Sequence, residues 1–185
     1  MSQTLRGRPA SATEVKELQR QIAAGIPHDG MLSRHWKDVK NLKPEVAGID
    51  VMSFPVLVTA AGVITQPQQQ STPAGFYAEL FGIKGYMQNP ATDPELAPLI
   101  DFNVRDRERS GDLFTTNMEM AYLVDATTGG GEGIFFQRGL YVFDPGSTIQ
   151  VKFAIDGTAT TGYTALASAT KEYGVALVFN LYSVA

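Results

Sequence analysis

Thr148-Ile-Gln-Val-Lys-Phe-Ala-Ile155 decides how the rest of the chain is read. Ile149, Val151, Phe153 and Ile155 alternate with Gln150, Lys152 and Ala154. Successive side chains of a strand point to opposite faces, so this stretch is a strand with one apolar face and one polar face. Asp144-Pro-Gly-Ser147 precedes it. Pro supplies the fixed φ of a turn's second residue and Gly the positive φ of its third, so the chain reverses there.

Outward from this strand the same grammar continues. Runs rich in Val, Ile, Phe, Tyr and Thr are punctuated by Gly, Pro, Asn and Asp, the pattern of an all-β sandwich or barrel. Strands are predicted over 49–58, 61–66, 76–86, 99–104, 113–124, 133–143, 148–155 and 175–184. In the last of these Val175, Leu177, Phe179 and Leu181 alternate, yet Ala176, Val178 and Tyr182 between them are apolar too, which places the strand in the middle of a covered sheet. Gly157 to Thr170, by contrast, carries no charge and is built largely from Gly, Ala, Thr and Ser, a composition suited to lying against another chain.

The first 47 residues read differently. Residues 1–10 form an extended arm. Ser11-Ala-Thr-Glu14 is a capping box that starts a helix, and Val15, Leu18 and Ile22 make its narrow apolar stripe before Gly25 and Pro27 end it. Such a stripe suits a helix lying on a sheet or on another subunit. A wrapped connection, residues 28–47, holds both histidines and the single Trp, Trp36, expected to anchor it to the body. The expected organisation is therefore a basic arm, helix and connection over 1–47, and a jelly-roll-like β-sandwich body over 48–185.

Composition excludes several classes. Of 185 residues 44% are hydrophobic and 10% aromatic, which rules out disorder over most of the chain. Charged residues are 18%, below the roughly 25% of ordinary soluble domains, so much of the surface is neutral or covered by a partner. Zero Cys excludes disulfides, thiolate metal sites and thiol nucleophiles. No apolar run is long enough for a membrane-spanning helix, and the N-terminus has no signal-peptide core. Residues 1–43 hold eight Lys or Arg against four acids, net +4, while the remaining 142 hold seven against fifteen, net −8. A basic leader on an acidic body can dock on a neighbouring copy. Nucleic acid is a lesser expectation, because the basic side chains are sparse and few aromatics sit among them.

No motif announces catalysis. Gly129-Gly-Gly-Glu-Gly133 fits neither phosphate-binding glycine pattern and reads as a hairpin tip. The histidines lie outside the β body, which leaves Ser-His-acid chemistry without a scaffold. His28, Asp29, His35 and Asp38 do not by themselves make the convergent set a metal needs. No cofactor is expected. Arg105-Asp-Arg-Glu-Arg109 could clamp oxyanions. In a strand, however, the three arginines would share one face and Asp106 and Glu108 the other, and salt bridges within the surface or between subunits are the expected use. The aromatics within the strands, among them Tyr77, Phe81, Tyr86, Phe102, Phe135 and Phe143, read as core.

The stretch from Leu113-Phe-Thr-Thr-Asn through Gly133-Ile-Phe-Phe-Gln-Arg-Gly-Leu-Tyr-Val-Phe-Asp-Pro-Gly-Ser-Thr-Ile-Gln-Val-Lys-Phe153 resembles small β-sandwich structural proteins of bacteriophage virions. The shared style is an aromatic strand, a Pro-Gly turn, an alternating strand, a Gly/Thr/Ala loop and a last apolar strand, over residues 100–184. The basic leader is similar to the arms with which capsid subunits lace onto neighbours. The resemblance implies a non-enzymatic virion component (capsid, vertex, decoration or neck), made in the host cytoplasm, whose partners are copies of itself and other virion proteins. No catalytic residue carries over. The contacts expected between subunits are Arg6, Arg8, Val15, Leu18, Ile22, Arg105, Arg107 and Arg109. A non-catalytic carbohydrate- or receptor-binding module of a phage tail is the second expectation, marked by exposed aromatics.

Overall fold

The computed structural model describes residues 39–59, 61–87, 100–114, 116–124, 133–136, 139–155 and 170–185. The arm, the helix carrying Val15, Leu18 and Ile22, the Trp36 region, the glycine run up to residue 132 and the neutral stretch from 157 to 169 lie outside the described residues.

The fold is all-β. In chain order the strands are β1 (Leu42–Val58), β2 (Ile64–Thr65), β3 (Gln70–Ser71), β4 (Phe76–Met87), β5 (Ile100–Asp106), β6 (Gly111–Asp112), β7 (Met118–Glu119), β8 (Ile134–Phe135), β9 (Tyr141–Phe143), β10 (Thr148–Ile155) and β11 (Lys171–Val184). They form two antiparallel sheets. The first runs β2-β1-β11-β4-β8, with β9 also on β4, and the second runs β3-β10-β5-β6, with β7 also on β5. One hydrophobic core draws on both: Phe54, Leu80, Phe143, Leu177 and Phe179 from the first sheet, Phe102, Val104, Val151 and Phe153 from the second.

β10 and β11 form where the periodicity says they should. In β10, Ile149, Val151 and Phe153 are buried while Lys152 between them is exposed. Ser147 N–H donates to the Asp144 carbonyl at 3.1 Å and Gly146 has φ 74°, so the Pro-Gly reversal forms as read. β11 does lie inside its sheet, paired with β1 along one side and β4 along the other. Phe179, at its centre, meets Phe143 edge-on at 5.9 Å between ring centroids, a favoured aromatic geometry.

Four expectations need correction. β1 begins at Leu42, so residues 42–47 belong to a strand paired with the end of β11 and not to a wrapped connection. The predicted strand at 61–66 is shorter, only β2 at Ile64–Thr65 on the first sheet, after which the chain crosses to β3 on the second. The predicted strand at 113–124 is replaced by the two-residue β7 and a 3₁₀ helix at Met120–Tyr122. The cause is Asn103, whose amide donates to the Phe114 carbonyl at 2.7 Å and accepts from the Phe114 N–H at 3.2 Å. A side chain there does the work of a strand neighbour, and the backbone leaves the ladder. The predicted strand at 133–143 divides into β8 and β9, because β4 carries a register shift opposite Val178 and Phe179; such a bulge disrupts regular pairing on its other side.

The crossing segment also closes one side of the fold. Gln66 donates to the Phe153 carbonyl at 2.6 Å and accepts from the Phe153 N–H at 2.9 Å, so its side chain extends the pairing of β10 beyond β3. Gln70 reaches the other way, its amide donating to the Ser53 carbonyl of β1 at 2.5 Å. The β10 backbone at Phe153 and the β1 carbonyl at Ser53 are thereby withheld from pairing with other chains.

Candidate functional site

The Arg105–Arg109 run is organised by its acid. β5 ends at Asp106, and residues 107–110 form a turn in which Ser110 takes φ 51°. The carboxylate of Asp106 is fully buried. One oxygen accepts from the Glu108 and Arg109 N–H groups at 3.0 and 3.3 Å, and the other accepts from the Tyr141 hydroxyl at 2.9 Å. The expected strand with three arginines on one face and two acids on the other is therefore not what forms. Asp106 is the internal anchor of the turn and a bond between the two sheets.

The arginines separate accordingly. Arg109 makes a 2.8 Å salt bridge to Asp144, which raises its pKa and holds it charged. Arg105 lies on the outer face of the second sheet, 3.7 Å from Asp112 and donating to the Ser110 carbonyl at 3.3 Å. Arg107 is exposed and makes no ion pair among the described residues. Arg6, Arg8, Val15, Leu18 and Ile22 lie outside those residues.

A second surface was not singled out by sequence reasoning. On β1 the residues Met52, Phe54, Val56 and Val58 face the core, so Val51, Ser53, Pro55 and Leu57 face outward. Across the first sheet the register aligns Val51 with Val178, Val178 with Gly82, and Gly82 with Phe135. The result is an apolar row spanning four strands, with Val51 55% and Phe135 44% exposed. Ile49, 66% exposed, and Leu57 extend it along β1. Gly82 is required here: a Cβ would meet the Phe135 ring at 2.7 Å. Phe81 flanks that ring at 6.1 Å between centroids, and Lys84 places its ammonium 5.6 Å from it. The signal was present in β1, where Ile49, Val51 and Leu57 interleave with the core residues just as Val178 does in β11.

Beside this row, Glu79 is buried on the same sheet. It accepts from the Tyr182 hydroxyl at 2.8 Å and from Asn180 at 3.3 Å. Burial first, and this bond second, push the Tyr182 hydroxyl well above the usual phenol range. Burial and the charge of Glu172 raise Tyr86 likewise. Among the described residues no three His, Asp or Glu side chains gather as a metal would need, and none of the helices is long and apolar enough to cross a membrane.

No family model, curated protein or solved structure matches the chain. What the geometry offers is two surfaces: an apolar row on one sheet, and a charged, polar face on the other.

Proposed function

We propose that this chain is a structural virion protein, built on a jelly roll, that assembles in many symmetric copies through sheet and arm contacts. Its role in this reading is mechanical and not catalytic. The jelly-roll assignment is supported by strand order. When β2 with β3, β6 with β7, and β8 with β9 are each counted as one interrupted strand, eleven strands become eight. The sheets then read first-eighth-third-sixth and second-seventh-fourth-fifth, the interleaving that two Greek keys produce.

The observation that carries the functional reading is the apolar row Val51, Val178 and Phe135, exposed at its two ends, Val51 and Phe135. Contiguous apolar side chains across the solvent face of a sheet mark an interaction surface, and a homo-oligomer buries such a patch against its symmetry mate. The basic leader and acidic remainder are opposite in sign, which supports lacing between copies. Sedimentation across a concentration series tests this on the full chain. A discrete assembly that dissociates in Val51→Asp, and in a chain lacking residues 1–25, is the expected result. Wild type that stays monomeric, or an assembly indifferent to both changes, overturns the reading.

A further inference from the structure

We propose that the outer face of the second sheet, opposite the apolar row, binds an acidic oligosaccharide, one bearing carboxylate or sulfate groups. The site is a trough made of two adjoining hollows of about 330 and 310 Å³ that share Gln150 and Lys152. Its floor is the β5–β10 pairing, in which Gln150 lies opposite Arg105 and Lys152 opposite Asn103.

Charge and hydrogen bonding define the ligand. Lys152 and Arg105 are diagonal neighbours on one face, about 7–8 Å apart between Cβ atoms, close enough for their long side chains to meet one oxyanion. Arg107 and Ser110 close that end of the trough. No carboxylate lines the hollow that holds Arg105, Arg107 and Lys152, although Asp112 sits 3.7 Å from Arg105 and Asp101 and Glu119 lie further along the same sheet face. The cations are thereby gathered at one end of the face, on a body whose residues beyond 43 carry a net −8. Arg105 is already oriented by Asp112 and the Ser110 carbonyl, while Arg107 and Lys152 are exposed and make no ion pair among the described residues. Guanidinium paired with ammonium is the chemistry that recognises carboxylate or sulfate.

The rest of the trough is lined by the amides of Gln66, Asn103, Asn117 and Gln150, with Asp112, Phe153 and Ala154 beside them. Gln66 and Asn103 spend their side chains on backbone groups, but Gln150 keeps its amide for a ligand. Asn117 accepts from Asn103 through its oxygen, leaving its N–H donors outward. Such groups read sugar hydroxyls. Single-stranded nucleic acid needs aromatic platforms for its bases, and among the described residues the exposed aromatic ring, Phe135, lies on the other sheet.

Isothermal titration and amide-shift mapping of the full chain test the site. The probes are a heparin-derived hexasaccharide for sulfate, a hexagalacturonate for carboxylate, cellohexaose as neutral control, and a single-stranded oligonucleotide. Expected is saturable binding of at least one acidic sugar, with shifts centred on residues 103–117 and 150–153. Arg107→Gln combined with Lys152→Gln should weaken that binding by about 100-fold, roughly tenfold per lost charge-assisted hydrogen bond. Because both side chains are exposed, the thermal midpoint without sugar should not move. Undiminished binding by the double variant, equal binding of cellohexaose, tighter binding of the oligonucleotide, or no saturable binding of either acidic sugar would each overturn the proposal. Assembly is read independently, by sedimentation of the same variant.

Discussion

Replacing Asp106 by Ala removes three hydrogen bonds at once, and the cost can be built up from the geometry. The bond from the Tyr141 hydroxyl is buried and charge-assisted, at 2.9 Å; such a bond contributes about 1.5–3 kcal/mol. The Glu108 and Arg109 amides sit in an exposed turn, where water can replace the carboxylate, so each loses about 0.5–1 kcal/mol. The sum is a destabilisation of about 2.5–5 kcal/mol, a large share of the roughly 5–15 kcal/mol of a whole domain. Asp106→Asn retains an acceptor for the turn and a donor toward the Tyr141 oxygen, and should cost about 1–2 kcal/mol. Urea titrations followed by far-ultraviolet circular dichroism measure both. A cycle of Asp106→Ala with Tyr141→Phe should show coupling of about 1–2 kcal/mol. An Ala variant within about 1 kcal/mol of wild type, or a cycle with no coupling, would refute the view that this carboxylate ties the two sheets together.

Three other outcomes are expected. Phe179→Ala empties the centre of the first sheet's contribution to the core and should cost about 3–5 kcal/mol in the same titration. Gln66→Ala uncovers the backbone of β10 at Phe153; a loss of about 1–2 kcal/mol should come with concentration-dependent aggregation by light scattering, as an uncovered edge predicts. Tyr182, whose pKa is raised in the fold, must stay protonated there, whereas the unfolded chain releases this proton near pH 10. Its contribution is complete below that pH and declines as pH rises above it. Urea midpoints measured at about pH 8 and pH 11 should therefore diverge in wild type and diverge less in Tyr182→Phe, where Tyr86 still contributes; an equal divergence in both would contradict the assignment.

Much of the candidate surface was legible from residue types alone, but its arrangement was not. The run Arg105-Asp-Arg-Glu-Arg109 announces charge, and reading it as a strand gives one arginine face. Asp106 prevents this, because its carboxylate is drawn inward by Tyr141, thirty-five residues later in the chain. No local pattern can signal that partner. The apolar row was half visible in the interleaved Val and Ile of β1, yet the same alternation describes a strand buried on both sides.

The alternation of Ile149, Val151 and Phe153, the Asp144–Ser147 reversal and the all-β class follow from the sequence, because strand periodicity and turn chemistry are local properties of neighbouring residues. Tertiary structure decided everything that depends on which strands become neighbours. It left the outer side of β1 open while enclosing β11, let the Asn103 and Gln66 side chains stand in for backbone partners, and set Lys152 beside Arg105 across a ladder between residues almost fifty positions apart. The physical reason is that burial and cross-strand pairing are settled by packing two sheets over one core, and several chain assignments to those sheets satisfy the same local pattern.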